Sequence, residues 1–168
     1  MIKSKKWSYI LIASIIVIGV AIDLITKIIF ENYFESHSDD ITVIPDFFIF
    51  TFVKNTGAAY GMFSGNTVAL TIVSIVMIIA FVVYDVFNHS NSVLYVLGFS
   101  FVVSGAIGNL IDRIFLGYVR DFINIKLFNF IFNVADIFVT IGMILFVIYL
   151  VISIIKEEKV KKNAVDKQ

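Results

Sequence analysis

The sequence contains no cysteine, a single proline and only two histidines. Without cysteine it can form no disulfide, no thiolate nucleophile and no sulfur-rich metal site. The histidines, His37 and His89, fall in separate connecting segments and show no His-Glu-x-x-His spacing. Neither a zinc protease nor a serine–histidine hydrolase is therefore indicated, and no metal is called for. There is no glycine-rich phosphate loop and no need for a cofactor. Charge is scarce as well, at 15% of residues with a formal net charge of zero. The basic residues sit mainly at the two ends, where they read as topology signals and not as nucleic-acid contacts.

Hydrocarbon fills the place of charge, since 60% of the 168 residues are hydrophobic and the mean hydropathy is +0.97. That excess over the needs of a soluble core implies an α-helical membrane protein. A crossing takes roughly 17 to 25 apolar residues, and four transmembrane helices are predicted at 7–30, 67–84, 93–113 and 134–155. They make a single membrane domain over 1–168, with connecting segments at 31–66 and 114–133 long enough to hold structure of their own. Lys3, Lys5 and Lys6 before the first span imitate a secretory leader. Asp23 and Lys27 interrupt its far end and no small-residue cleavage site follows, so the span is expected to be retained. Lysines at both ends place both termini in the cytoplasm and the two long segments outside.

The polar residues of the spans all lie toward their outer ends, which predicts one shared polar site, because an ionisable group in a membrane helix costs about 2.5–3.5 kcal/mol on insertion scales. Asp23 and Lys27, four apart, share a helical face as a structural ion pair. In "SGAIGNLIDR", Gly105, Asn109 and Asp112 follow one face and Gly108 a neighbouring one, with Arg113 beside them. Small residues there admit a second backbone. The β-branched and aromatic stretch Phe47 to Val53 predicts a strand at the membrane surface. After it, Asn55, Gly57, Ala58 and Ala59 form a turn open to a ligand's backbone. Asn133 and Asp136 open the last span, a favourable place for capping residues. Asp121 has no such structural use.

Two carboxylates held close share a proton, one acting as base toward water and the other as acid toward a carbonyl, the chemistry of an aspartyl hydrolase. The same groups also suit a proton relay in a small proton-coupled membrane transporter. Transport sites tend toward the bilayer midplane, whereas these acids cluster near one surface. A serine–lysine pair of Ser64 and Lys27 is the remaining nucleophilic option, and nothing in the sequence joins them.

The ordered motifs "DLITK" (23–27), "NTGAAYG" (55–61), "SGAIGNLIDR" (104–113), "VRDFI" (119–123) and "FNVAD" (132–136) together resemble the lipoprotein signal peptidase (signal peptidase II) family of aspartyl membrane proteases. The resemblance implies four helices with a small extracytoplasmic β-sheet cradle in the bacterial cell membrane. It implies diacylglyceryl-modified prolipoproteins as substrates, cut before the lipidated cysteine, and membrane lipids as neighbours. It further implies Asp121 and Asp136 as the catalytic pair and Asp23 with Lys27 as its support. Asn55, Asn109, Asp112, Arg113 and Asn133 become polar substrate and support residues, with Gly57, Ala58, Ala59, Gly105 and Gly108 at small-residue positions. Leu24, Asn124 and Phe130 depart from the family's usual Gln, acid and Pro.

The expected topology is testable. Cysteines introduced as Ser4→Cys should be shielded from an impermeant thiol reagent in intact cells and as Ser38→Cys should be labelled; labelling of the first would reverse the orientation.

Overall fold

In hydrocarbon every main-chain group must be satisfied within the protein, so the apolar runs become helices. The computed structural model describes residue 2 and residues 4–57, 66–128 and 130–165, with side chains as far as 163. In chain order the elements are α1 (Lys5–Ser36), β1 (Ile41–Ile44), β2 (Phe48–Asn55), α2 (Thr67–Asn88), α3 (Val93–Leu116), β3 (Val119–Ile125), β4 (Ile131–Phe132) and α4 (Val134–Val165). Four of them are long and apolar enough to cross a membrane. The helices overrun the predicted spans, α1 past Phe30 to Ser36 and α4 past Ile155 to Val165. Hydropathy marks contact with hydrocarbon, whereas a helix continues as long as its own hydrogen bonds are met.

Helix ends follow local chemistry. Ser4 Oγ accepts from Trp7 N at 3.4 Å and Asn66 Oδ1 from Ala69 N at 3.1 Å, both N-caps. Gly117, at φ 79, ends α3 in the left-handed conformation that suits glycine, its N–H bonded to the Arg113 carbonyl.

The helices are unequal. In its most apolar stretch α3 is 67% buried, against 11–17% for the other three. It is the hub, with α1, α2 and α4 packed around it. Tyr95, Val96, Phe99 and Val103 of α3 join Ile12 and Phe146 in the core. Ile25 and Ile29 of α1, Val73 and Val76 of α2, and Ile144 and Val151 of α4 point outward, giving an apolar surface suited to lipid.

The α3–α4 contact is close because glycines line it. A Cβ on Gly98 would lie 2.8 Å from Phe146 N, and one on Gly142 would lie 2.6 Å from Val102 N. One on Gly105 would collide with the Ala135 carbonyl, and one on Gly108 with the Asp23 carboxylate. The small-residue face read from the sequence is thus a backbone contact at Gly105 and room for a carboxylate at Gly108.

The strand expected near Phe47 to Val53 is β2, which continues to Asn55, and it belongs to a four-stranded antiparallel sheet in the order β1-β2-β3-β4. Phe48 pairs with Ile125 and Phe50 with Ile123, then the register slips so that Val53 pairs with Asp121 and Asn55 with Val119. Such a bulge re-aims the following side chains. Phe30 of α1 stacks on Phe122 of β3 with ring centroids 4.2 Å apart. That contact, with Phe50 against Phe30, seats the sheet on the end of the bundle.

Gly98→Leu should therefore separate α3 from α4 and cost about 1–3 kcal/mol through overpacking. Thermal unfolding of the purified protein in detergent reads this directly, and an unchanged midpoint would refute the close approach.

Candidate active site

Lys27 is the centre from which the site is built. Its side chain, wholly buried, lies 2.8 Å from Asp23 Oδ2 and 3.4 Å from Asp112 Oδ2. Its Nζ also donates to Asn109 Oδ1 at 2.9 Å. A buried cation requires such company, since an unpaired one is prohibitively costly. The ion pair expected within α1 is present, and it has partners from α3 that sequence spacing did not reveal.

Asn109 passes the order onward. With its oxygen held by Lys27, its Nδ2 donates to Asp136 Oδ1 at 2.8 Å. Asn133 forms a reciprocal cap with Asp136: Asp136 N donates to Asn133 Oδ1 and Asn133 N to Asp136 Oδ2, both at 3.1 Å. This is the capping-box arrangement at the start of α4. Because its oxygen is used in the cap, Asn133 must present its amide nitrogen to the site. Nδ2 donates to Asp121 Oδ1 at 2.6 Å and to Asn109 Oδ1 at 3.0 Å. Asp23 closes the arrangement by accepting from Ala135 N at 2.9 Å, also in the first turn of α4.

Asp121 arrives from β3. Asn55 pairs with Val119 across the sheet, so Asn55 and Asp121 are diagonal neighbours on one face. Asn55 Nδ2 donates to Asp121 Oδ2 at 2.7 Å, and the Gly57 N–H fixes the Asn55 oxygen at 2.8 Å. Both oxygens of each acid, Asp121 and Asp136, therefore face a fixed donor. Asp121 is 2% exposed. Burial, then the charge of Asp136, push its carboxyl up to about 7, against the opposing pull of Asn55, Asn133 and Lys27. Folding thus takes up a proton at Asp121 between the ordinary 3.8 and about 7. Its contribution to stability is lost as pH rises through that window, a cost tolerated where carboxylates have chemical work.

The structure brings together Asp23, Lys27, Asn55, Asn109, Asp112, Asp121, Asn133 and Asp136 through the contacts above. Gly57 orders Asn55, and Gly105 and Gly108 admit α4 and Asp23. Arg113 stands aside. It is partly buried, feels the charges of Asp136, Asp121 and Asp112, and makes no direct ion pair among the described residues. Ala58 and Ala59, like Ser64, lie outside the described residues. Among those described, no cluster of His, Cys, Asp or Glu could hold a metal ion.

Three participants escaped the sequence reading. Arg120 donates from N, Nε and Nη2 to Asp112 at 3.0, 3.3 and 2.6 Å. Its Nη1 reaches Glu31 at 2.9 Å, and Tyr118 Oη donates to the other Glu31 oxygen at 3.3 Å. Glu31 continues the four-residue spacing of Asp23 and Lys27 along α1, a signal that was available.

The family model described as signal peptidase (SPase) II matches residues 15–152. The chain belongs to the signal peptidase II family. It is 41% identical over 140 residues to the lipoprotein signal peptidase of Clostridium novyi, covering 81% of this chain and 94% of that one. To the lipoprotein signal peptidase of Lactobacillus johnsonii it is 38% identical over 154 residues, covering 90% and 96%. A solved structure described as a bacterial membrane enzyme, determined in meso at 2.3 Å resolution, superposes with a TM-score of 0.73 at 35% identity, covering 83% of this chain and 87% of that one. This signal peptidase II chain is accordingly a membrane-embedded protease acting in signal-peptide removal. Nothing in these likenesses favours the transporter alternative.

Lys27→Met should leave Asp23 and Asp112 without their shared cation and lower stability by about 3–5 kcal/mol. Adding Asp23→Asn should recover part of the loss, because the amide oxygen can still accept from Ala135 N. Unfolding midpoints of the three proteins in one detergent decide it, and a double variant no more stable than the single one would refute the pairing.

Proposed function

We propose that Asp121 and Asp136 are the catalytic pair of an aspartyl endopeptidase that cuts diacylglyceryl-modified prolipoproteins immediately before the lipidated cysteine. The observation that carries this reading is the convergence of two carboxylates, one from β3 and one from α4, on the single residue Asn133, Asp121 at its side-chain amide and Asp136 at its main-chain N–H. With one proton between them, the ionised acid takes a proton from water as the water oxygen bonds to the scissile carbonyl carbon. The protonated acid donates to the carbonyl oxygen, giving a neutral tetrahedral intermediate. Collapse breaks the C–N bond, with a proton passing to the leaving nitrogen of the modified cysteine. Four fixed donors hold the acids in place, so little reorganisation is required at the moment of reaction.

The site adjoins the sheet at the ends of the helices, a height at which a lipid-anchored peptide can stay in the membrane while its backbone reaches the acids. Membrane lipids surround the outward faces of α1, α2 and α4. Following the lysine asymmetry, both termini lie in the cytoplasm, and the sheet and acids lie at the outer face of the bacterial cell membrane. Residues 1–168 act as one domain. Arg113 and Asn55 are the groups best placed to meet the substrate, with Gly57, which orders Asn55, beside them.

Incubation of purified protein with a diacylglyceryl-modified prolipoprotein, with mass mapping of the products, tests the assignment. Asp121→Asn and Asp136→Asn should each lower kcat by about 10³-fold or more, and the double variant should be scarcely worse, as expected for groups that act as a unit. Since the pair must keep one proton and Asp121 is pushed up to about 7, kcat/KM should fall as pH rises through about that value. The midpoint belongs to the pair and not to one acid. Sustained turnover by either single variant would remove the acids from the mechanism.

A further inference from the structure

The geometry points to Arg120 as a positioning residue for the aspartate pair: by occupying the Asp112 carboxylate it leaves Lys27 to hold Asn109, and it clamps β3, which carries Asp121, onto α3 and α1. This rests on the catalytic reading above and extends it to a residue that touches neither acid.

Arg120 is 7% exposed, and its main-chain N–H, Nε and Nη2 all serve Asp112. The planar guanidinium suits that two-oxygen grip, with Nη1 left over for Glu31. Successive strand residues face opposite ways, so as Arg120 turns toward α3 and α1, Asp121 is turned toward Asn55 and Asn133. Fixing one side chain fixes the direction of the next.

The second half of the inference concerns competition for Lys27. Asp112 Oδ2 accepts from Arg120 N at 3.0 Å and lies 3.4 Å from Lys27 Nζ, which bonds more closely to Asp23 and Asn109. Charges alternate along Asp23, Lys27, Asp112, Arg120 and Glu31. With the Arg120 guanidinium removed, Asp112 keeps a buried negative charge whose remaining ion-pair partner among the described residues is Lys27, which is drawn toward it, while Arg113 acts on Asp112 and on both acids of the pair without a direct ion pair. Asn109 then loses the charged one of the two donors on its oxygen and keeps only Asn133 Nδ2. Its amide is held less firmly toward Asp136, and the nearby positive charge moves away from the pair.

The experiment is steady-state cleavage of a diacylglyceryl-modified prolipoprotein across pH by folded, purified variants, with Asp121→Asn as the inactive reference. Arg120→Gln should lower kcat by roughly 10- to 100-fold, the scale of a small misplacement of reacting groups, with KM within about twofold. Its alkaline midpoint should move to higher pH, because a departing cation favours the protonated pair. Adding Asp112→Asn removes the competitor for Lys27, so the double variant should return the midpoint toward wild type even though the clamp on β3 is lost. Arg120→Lys keeps the charge without the fork and should hold the wild-type midpoint with kcat between the two. It also serves if Arg120→Gln does not fold.

A purely structural Arg120 would give less folded protein with unchanged kcat and pH profile, and that result overturns the inference. An Asp112→Asn addition that fails to restore the midpoint overturns the competition for Lys27. If Asp121→Asn itself remains active, the catalytic reading fails; if it is inactive while folded Arg120→Gln and Arg120→Lys match wild type, this inference alone fails.

Discussion

The polar network around the two acids is arranged around the need to keep one ammonium group out of water. Lys27 is wholly buried, and its partners come from its own helix and from the hub helix α3. A lone cation at that depth would be intolerable, so Asp23, Asn109 and Asp112 have little freedom of position. From that constraint the rest follows in order. Asn109, with its oxygen committed, must aim its nitrogen at Asp136. Asp23, held by Lys27, presents its other oxygen to the first turn of α4. The acids are therefore oriented by a charge they do not touch.

The amide side chains illustrate how orientation is transmitted. An asparagine can present either end to a neighbour, and each of the three here has its oxygen engaged elsewhere, by Lys27 at Asn109, by the Asp136 N–H at Asn133 and by the Gly57 N–H at Asn55. All three then offer N–H groups to carboxylates. The cap of α4 and the ligation of Asp121 are one side chain's two tasks. Capping α4 and holding both acids are thus tasks that the geometry unites in Asn133.

Much of this was legible in the sequence, for physical reasons that can be named. Apolar runs reported the helices because lipid leaves the backbone no alternative, and Asp23 with Lys27 reported a pair because helical spacing puts them on one face. β2 could be seen in its β-branched and aromatic residues. β3 could not, since Val119 to Ile123 are buried without alternation, the strand being covered on both faces at its start. Glu31 has the right spacing but falls just beyond the hydrophobic run, so hydropathy places it in a connecting segment, although α1 continues to Ser36. Arg120 adjoined a residue of evident interest, yet its grip on Asp112 depends on how β3 meets α3, which no local pattern encodes. Gly98 and Gly142 stand between apolar neighbours, where a lone glycine carries no local sign of the backbone it faces.

The buried lysine also bears on how the chain enters the membrane. Lys27 and Asn109 are 82 residues apart, so α1 is synthesised long before the side chains that will receive its charge. During that interval the local pair with Asp23, one helical turn away, is the partnership α1 can make by itself. Its i,i+4 spacing then serves assembly as well as the finished enzyme: it lets the first helix wait in the bilayer, nearly neutral, until α3 emerges. A relocated Asp23 that still reached Lys27 in the folded protein would lose that service, and insertion would suffer where the final contacts did not.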